Sequence, residues 1–361
     1  MIPKSGHRFS EKIMLKQLAK AKWRFNLIPF RFSTALWTAV LAALIPLAAP
    51  ALAQEQVRVG LGYGFAFLPL YVCEDLKLIE KQTRAAHLDV VAKFQRFANS
   101  GELHAALAAG QIDMAPFGTA PLLTGALQEK DARRQIVAVS GITSLPLTLL
   151  TNQANERSIA DLKASDRIAV PTLTSPQMYL LQMQSEKAFG QFDHLRNQIV
   201  MLSHPQAIAA LADNTGQATA YFSSPPFTQI ALRAANVHAM LSSSDVMSGK
   251  SSFLILGAQR SYLRAQPQMA ELVAKAIDEA ARIIRDDPKR AAQIYLTREP
   301  SAALNGAAME AIIRDAKDEF GSPVYGVQAT ADFMVRIGEL KTPLRSWKDI
   351  AAPALLNSPS T

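Results

Sequence analysis

The stretch Ser100–Pro121, SGELHAALAAGQIDMAPFGTAP, most constrains what this chain can fold into. Leucines and alanines at helical spacing predict one apolar helical face, and Gly110 predicts its end because a residue without Cβ adopts left-handed backbone easily. The next residues, Ile112–Ala115, predict a short buried strand, followed by a tight turn at Pro116–Thr119. Helix, strand and turn in this order are typical of an α/β domain.

A second helix is predicted to begin directly after this turn. Thr119 is its candidate cap, and Pro121 lies in its first turn, where a missing N–H costs nothing. A strand that leads into a helix N-terminus presents free backbone N–H groups, which can bind a ligand oxygen. We therefore expect Gly118 and Thr119 to contact a ligand.

The pattern A.ALAAGQID.A..GTAP, preceded by LPLYV, resembles the solute-binding proteins of ABC importers. Within them it is similar to the branch that includes sulfonate, taurine, nitrate and thiamine-precursor binders, from about residue 57 to about 227 and more loosely beyond. The resemblance implies a two-lobed α/β periplasmic binding protein of type II-like architecture. Each lobe would be a mostly parallel sheet flanked by helices, with the ligand cleft between the lobes. It also implies delivery of a small solute to a permease with its ATPase.

The N-terminal segment Met1–Ala53 predicts a cleaved secretory signal. Eight basic residues against one acid are followed by an apolar run of fifteen residues, too short to span a bilayer comfortably, and then by the A-x-A site Ala51–Ala53. Cleavage after Ala53 would release a periplasmic protein that begins at Gln54. The true start is either Met1 or Met14.

Charge argues against nucleic-acid binding once the leader is set aside. The full chain has 38 basic and 30 acidic residues. Without the eight basic residues and the one acidic residue of the leader, 30 basic and 29 acidic residues remain, so the basic excess that nucleic-acid binding needs is lost. The remaining 308 residues suffice for two lobes of ordinary size. From the resemblance we expect lobe 1 to comprise residues 54–150 and 252–361 and lobe 2 residues 151–251, in a monomer.

Several local patterns predict individual elements. Gln56–Gly62 alternates and predicts the first strand, and Pro69 predicts the start of a helix that runs to about Lys81. Gly60–Gly64 lacks the third glycine of a dinucleotide-binding loop, so we interpret it as a turn that presents aromatic side chains. Ser175 followed by Pro176 is a strong helix start, which predicts a helix to about residue 189.

No catalytic cluster is evident, and we predict neither an enzyme nor a cofactor or metal site. The histidines are scattered, with no pair at helical spacing, and we expect surface or capping roles for His104 and His204. The single cysteine, Cys73, excludes an intrachain disulfide and a multi-cysteine site, including the iron motif of pyrimidine-precursor synthases with this fold. We interpret Cys73 as a buried hydrophobe. Asp113 is interpreted as structural, its carboxylate binding backbone N–H groups.

Other functions stay open. A periplasmic ligand sensor that never docks on an importer would have the same sequence pattern. A pyrimidine-precursor-type enzyme of the same fold is a further alternative, which the single cysteine disfavours. Transcriptional regulators share the two-lobed domain, but they carry an N-terminal helix-turn-helix and no export signal.

The expected ligand-binding residues come from the loops that should line the cleft. These loops, at 63–69, 117–121, 140–146, 172–178 and 221–227, contain no Lys, Arg, Asp or Glu. Burying an uncompensated charge is costly. They suit a small solute with an apolar or aromatic body and at most one negative group, such as a sulfonate, a monocarboxylate or a neutral heteroaromatic. The predicted residues are Tyr63, Phe65, Phe67, Phe117, Gly118, Thr119, Thr143, Ser144, Thr174, Ser175, Tyr221, Ser223 and Ser224.

Overall fold

A computed structural model describes residues 55–214 and 216–356. The predicted leader and its cleavage site lie outside the described residues. None of the helices in these two ranges is long and apolar enough to cross a membrane.

The first sheet has five strands in the order β2-β1-β3-β10-β4. Its strands are β1 Glu55–Leu61, β2 Val90–Arg96, β3 Met114–Phe117, β4 Ile136–Thr143 and β10 Leu254–Gln259. The first three pair in parallel, whereas β10 runs antiparallel to both of its neighbours. Four strands therefore share one direction, and the reversed strand is the one that arrives from the other half of the molecule.

The second sheet repeats this plan in the order β7-β6-β8-β5-β9. Its strands are β5 Thr148–Thr151, β6 Ile168–Val170, β7 Ile199–Met201, β8 Ala220–Ser223 and β9 His238–Ser242. Here β5, the first strand after the chain leaves the first sheet, is the reversed one. Two mostly parallel sheets flanked by helices confirm the predicted fold class.

Helices cover both sheets. They are α1 Leu68–Asp75, α2 Leu78–Ala85, α3 Ser100–Ala108, α4 Thr119–Leu127, α5 Pro176–Phe189, α6 His204–Ala212, α7 Phe227–Ala231, α8 Ser243–Met247, α9 Arg260–Ala265, α10 Met269–Asp286, α11 Pro288–Arg298, α12 Gly306–Asp315 and α13 Val327–Arg336. The long amphipathic helix α10 packs with α1, α2 and α11 on the first sheet and supplies much of its core.

Three local predictions are wrong. The single helix predicted from Pro69 is two helices, because Lys77 between them adopts a left-handed conformation with φ of 51°. The strand predicted at 112–115 lies two residues later, so Pro116 and Phe117 belong to β3 rather than to a tight turn. The cap of α4 is consequently Gly118, not Thr119.

Two structural interpretations are confirmed. The Asp113 carboxylate accepts the backbone N–H of Arg58 at 2.7 Å and binds its guanidinium at 2.6 and 3.0 Å, which ties the entry of β3 to β1. Cys73 is fully buried, and its thiol lies 3.4 Å from the carbonyl of Ala276 in α10. Burial raises the pKa of this thiol, so it behaves as a small hydrophobe.

The chain passes from the first sheet to the second between β4 and β5, and returns between α8 and β10. One C-terminal segment, residues 319–325, binds both passages. Glu319 accepts hydrogen bonds from the amide and the hydroxyl of Ser144. Its carboxylate also forms an ion pair with Lys250 at 3.0 Å. Ser252 and Tyr325 exchange hydrogen bonds on the return passage. The two connections are thus held side by side.

Candidate functional site

A cavity of about 820 Å³ lies between the two sheets. Residues directly after β1, β3, β6 and β7 line it, so it lies at the carboxyl ends of parallel strands from both sheets, where α/β proteins bind ligands. Its apolar lining includes Phe67, Phe97, Leu103, Leu107, Phe117, Ile136, Phe253 and Leu254. Its polar lining includes Asn99, His104, Thr124, Thr172, Thr174, Ser175, Gln177, Tyr179, His204 and Gln259.

Two helix N-termini meet at this cavity. The Ser175 hydroxyl accepts the amide of Met178 at 3.3 Å and donates to the carbonyl of Thr172 at 2.8 Å, which fixes the start of α5. Opposite it, α4 begins at Gly118. A Cβ placed on Gly118 would lie 3.2 Å from Cγ of Pro176, so the two helix starts touch and only a residue without a side chain fits comfortably between them.

The side chain of Thr119 points away from this cavity. Its hydroxyl donates to the carbonyl of Ser252 at 3.1 Å, and the residue lines a separate small cavity instead. The hydroxyl that we expected to bind a ligand therefore has a protein partner already.

His104 and Phe117 form one stacked wall of the cavity. Their ring centroids are 4.1 Å apart and their planes differ by 11°. His104 Nε2 lies 3.1 Å from the carbonyl of Pro116, which can only accept, so this nitrogen carries the hydrogen. Burial lowers the pKa of His104, so the ring is neutral and Nδ1 is a free acceptor.

His204 contributes from the second sheet, at the first position of α6. Its ring stacks on Phe227 with centroids 4.4 Å apart, and Nδ1 is hydrogen-bonded to the hydroxyl of Tyr221. Tyr221 is fully buried, and within the described residues its hydroxyl has no other partner, so it must donate to Nδ1. Nε2 therefore carries the hydrogen, and burial lowers the pKa of His204 to about 4.

The loop after β1 is fixed by Glu299 at the end of α11. Its carboxylate accepts the amide of Gly64 at 2.5 Å and the hydroxyl of Tyr71. The Arg96 guanidinium lies 5.4 Å from the Tyr63 ring centre and 4.8 Å from that of Tyr71, which is cation–π distance. Tyr63 lines the cavity, whereas Arg96 does not.

Six of the predicted site residues line the main cavity. They are Tyr63, Phe67, Phe117, Gly118, Thr174 and Ser175. Three different loops bring them together, two from the first sheet and one from the second.

The other seven predicted residues lie elsewhere. Phe65 is buried in the first core, edge-to-face with Tyr295 and Phe320. Thr143 and Ser144 belong to the passage between the sheets, and Thr119 lines the small cavity. The remaining three are buried in or directly after β8: Tyr221, Ser223 and Ser224. The Ser223 hydroxyl donates to the carbonyl of Thr148 on the neighbouring strand at 2.8 Å.

Sequence reasoning did not identify His104 and His204 as cavity residues, and it did not single out Gln177 within the expected cleft loop 172–178. Both histidine rings line the cavity, so neither is confined to the surface or capping role that we expected. Glu129 and Arg134 also line the cavity, from outside the loops that we expected to form it. No group of three or more potential metal-ligating side chains occurs in residues 55–214 and 216–356.

Comparisons with known proteins agree with this architecture. The sequence profile of the NMT1-like family matches residues 52–297. No curated protein matches the chain significantly. Solved structures with the same fold include two sulfonate-binding proteins and an enzyme. The alkanesulfonate-binding protein SsuA from Xanthomonas axonopodis pv. citri, bound to MOPS, is 20% identical with a TM-score of 0.62, covering 85% of this chain and 99% of its own.

The other two solved structures are a binding protein and an enzyme. The periplasmic aliphatic sulphonate-binding protein SsuA from Escherichia coli is 19% identical with a TM-score of 0.63, covering 82% of this chain and 98% of its own. The desulfurization enzyme DSZB is 15% identical with a TM-score of 0.53, and the match covers 83% of this chain and 96% of DSZB. At these identities the likenesses show a shared fold.

Proposed function

Because the chain belongs to the NMT1-like family, we propose that it is the solute-binding component of an ABC importer. One observation carries this proposal: a single large cavity receives walls from both sheets at the carboxyl ends of their parallel strands. A ligand in such a cavity contacts both halves of the molecule at once. Its binding energy therefore favours the arrangement in which the halves are closed over it.

The two passages between the sheets provide a hinge for this closure. They lie side by side under residues 319–325, so rotation about them would separate Gly118 from Pro176 and open the cavity. Hinges of this kind are a few residues at element ends that absorb the change in backbone angles. The predicted lobes, residues 54–150 with 252–361 and residues 151–251, fit this scheme, with β5 joining the second sheet slightly before the predicted boundary.

The solute we propose is a small organic molecule with an apolar or aromatic body, of the sulfonate, monocarboxylate or heteroaromatic type. The apolar lining offers such a body a partner, and the sulfonate ligands named for the two SsuA structures belong to this class. The partner of the closed form would be a permease with its ATPase. We propose that the protein acts as a monomer in the periplasm after cleavage behind Ala53.

The direct test is recovery of the native ligand. The chain is expressed with its leader in a Gram-negative host and purified from the periplasm without denaturation, and the small molecules released on unfolding are identified by mass spectrometry. We expect a mature protein that begins at Gln54 and carries one stoichiometric organic solute. A membrane-bound product that keeps Trp37 would contradict the export part of the proposal.

Two alternatives make different predictions. A ligand sensor would bind and close in the same way but would not support uptake by a reconstituted permease and ATPase. An enzyme of this fold has the likeness to DSZB in its favour. An enzyme would convert the recovered solute during incubation, whereas a binding protein returns it unchanged.

A further inference from the structure

Gln177, at the second position of α5, has a buried side chain without a protein partner. The residue is only 2% exposed, yet no described atom is hydrogen-bonded to its side-chain amide. Among the described residues, four other side-chain atoms lack a partner, and unlike the Gln177 amide they are completely covered by protein: Glu80 Oε2, Glu156 Oε1, Gln198 Oε1 and Gln229 Oε1. The amide of Gln177 is not sealed in this way, and the residue lines the main cavity. The part of the Gln177 amide that the protein leaves uncovered therefore faces the main cavity.

A buried amide in this position requires a partner from the ligand or from water. Leaving a buried polar group unpaired is unfavourable, and native proteins pair the great majority of them. A glutamine amide offers one carbonyl acceptor and one N–H₂ donor side by side. The group that satisfies both of them at once carries a donor beside an acceptor.

The charges around the cavity favour a ligand whose polar group is neutral. The charged residues among those that line it are Glu129 and Arg134, one of each sign, and Arg134 is solvent-exposed. Burial lowers the pKa of both His104 and His204, which favours the neutral form of each ring. The helix starts are also poor in donors, because Pro121 and Pro176 each remove one N–H group from a first turn.

His204 supplies a second directed contact from the same side of the cavity. With Nδ1 occupied by the Tyr221 hydroxyl, its Nε2–H is a neutral donor. Both His204 and Gln177 follow strands of the second sheet, β7 and β6, whose carboxyl ends are adjacent. The second sheet thus presents neutral hydrogen-bonding groups, while the first presents the large apolar side chains together with the two charged ones.

We propose that Gln177 determines ligand specificity, and that the ligand presents to it a neutral edge with a donor and an acceptor side by side, as in a carboxamide or a lactam. This inference rests on the proposed solute-binding function. The aromatic or apolar body of the ligand lies against the stacked pair His104 and Phe117 and the phenylalanines beside it.

The experiment uses three probes that share one ring: benzamide, benzoate and benzenesulfonate. Each is titrated calorimetrically into the mature chain after removal of co-purified ligand. Benzamide is expected to bind about tenfold more tightly than either anion, because each of the anions lacks a donor and must be desolvated. Gln177→Leu is expected to weaken benzamide binding about tenfold and to leave the anions within about twofold.

Two further variants separate recognition from folding. Gln198→Leu removes another glutamine amide, whose buried Oε1 also lacks a partner and which does not line the main cavity, and should leave all three affinities unchanged. Gln177→Glu keeps the size and polarity of the side chain but loses the donor, so it should weaken benzamide binding as Gln177→Leu does. Thermal melts of each variant identify any loss of folded protein.

Several results would overturn the inference. They are absence of measurable benzamide binding, tighter binding of either anion, and equal losses in the Gln177 and Gln198 variants. Unchanged benzamide affinity in Gln177→Leu would show that the amide binds only water. Tight benzenesulfonate binding with compaction would overturn this inference while leaving the solute-binding function intact. Failure of every small molecule, native ligand included, to compact the chain would instead refute that function.

Discussion

The two walls of the cavity differ in chemistry. The wall from the first sheet carries the large aliphatic and phenylalanine side chains, among them Phe67, Phe97, Leu103, Leu107 and Phe117, and also the two charged residues of the lining, Glu129 and Arg134. The wall from the second sheet consists of polar residues and two prolines: Pro171, Thr172, Thr174, Ser175, Pro176, Gln177, Tyr179 and His204. One half of the molecule can therefore hold the body of a ligand, and the other half can bind its polar group.

This division makes closure a requirement for tight binding. An apolar ligand without the polar group would gain contacts mainly with the first wall, and a small polar solute would leave the large apolar side chains of that wall without a partner. Only a molecule with both parts, in a closed protein, uses both sets of contacts. The difference between the walls thus couples specificity to the motion that we propose an importer recognises.

The largest effect is expected from keeping the two walls apart. Gly118→Leu places a side chain where a Cβ alone would lie 3.2 Å from Pro176, a rigid ring. Glycine is not needed there for its backbone, since φ is −68° and ψ is 159°. We expect ligand affinity to fall at least about a hundredfold, or about 2.7 kcal/mol, by calorimetry.

The matched control is Gly118→Ala. Like the leucine variant, it loses glycine as a favourable helix-cap residue. It adds only one carbon atom, however, which Pro176 could accommodate by moving a few tenths of an ångström. Its affinity should lie much closer to that of the wild type. Equal affinities for the wild type and the leucine variant would mean that the two helix starts separate in the bound state.

A smaller effect is expected from the polar wall as pH changes. Burial lowers the pKa of His204 to about 4, below its value of about 6.5 in an unfolded chain. The unfolded state binds more protons between these values, so this contribution to stability is complete above about pH 6.5 and is lost as the pH falls towards 4. We expect a loss of about 2 kcal/mol over this range from His204.

Chemical denaturation of the wild type and His204→Gln at several pH values measures this contribution. Glutamine can still accept the hydroxyl of Tyr221 but does not titrate. Burial also raises the pKa of Glu156 to about 7, so the contribution of Glu156 to stability is lost as the pH rises. Because the wild type and the variant both contain Glu156, this contribution cancels in their difference. The difference between the two proteins should therefore shrink on acidification. A constant difference would show that His204 is not buried as a neutral ring.

Loss of the cap on the polar wall should have an effect of about 1 kcal/mol. The Ser175 hydroxyl accepts the amide of Met178, and replacing a capping serine by alanine typically costs about this much stability. Ser175→Ala should lower the free energy of unfolding accordingly, measured with urea. Because the cap also positions Gln177, we expect the variant to weaken ligand binding as well, which distinguishes Ser175 from an ordinary cap.

The smallest effect on binding is expected at Thr119, the first residue of α4, whose side chain points away from the main cavity. Thr119→Val removes a hydroxyl whose partner is the carbonyl of Ser252, with little change of shape. We expect a loss of stability of about 1 kcal/mol and a change in ligand affinity below about twofold. A tenfold loss of affinity would mean that Thr119 turns towards the cavity when a ligand binds.

The sequence was informative where local signals decide the structure. Ser175 followed by Pro176 marks a helix start by its own chemistry, and the structure has that helix. The break at Lys77 was not predictable, because a left-handed lysine carries no local signal such as glycine does. The strand β3 was misplaced because Pro116 is unusual inside a strand, and its tolerance there depends on the neighbouring strands.

The site was less predictable than the fold. Gly118 and Ser175 were identified because residues after strand ends face the cleft in this architecture. Gln177 was not singled out within its loop and His204 was missed, since their significance lies in burial beside the cavity and in a buried tyrosine far away in sequence. The division into an apolar and a polar wall likewise appears only when the two sheets are placed face to face.

The central claim is that a ligand closes the two walls over itself, and small-angle X-ray scattering tests it most directly. The radius of gyration of the mature chain is measured with its native ligand bound and again after unfolding, dialysis and refolding. We expect a larger radius for the ligand-free protein and a return to the smaller value when the ligand is added back. Equal radii in both states, with binding confirmed by calorimetry, would contradict the account.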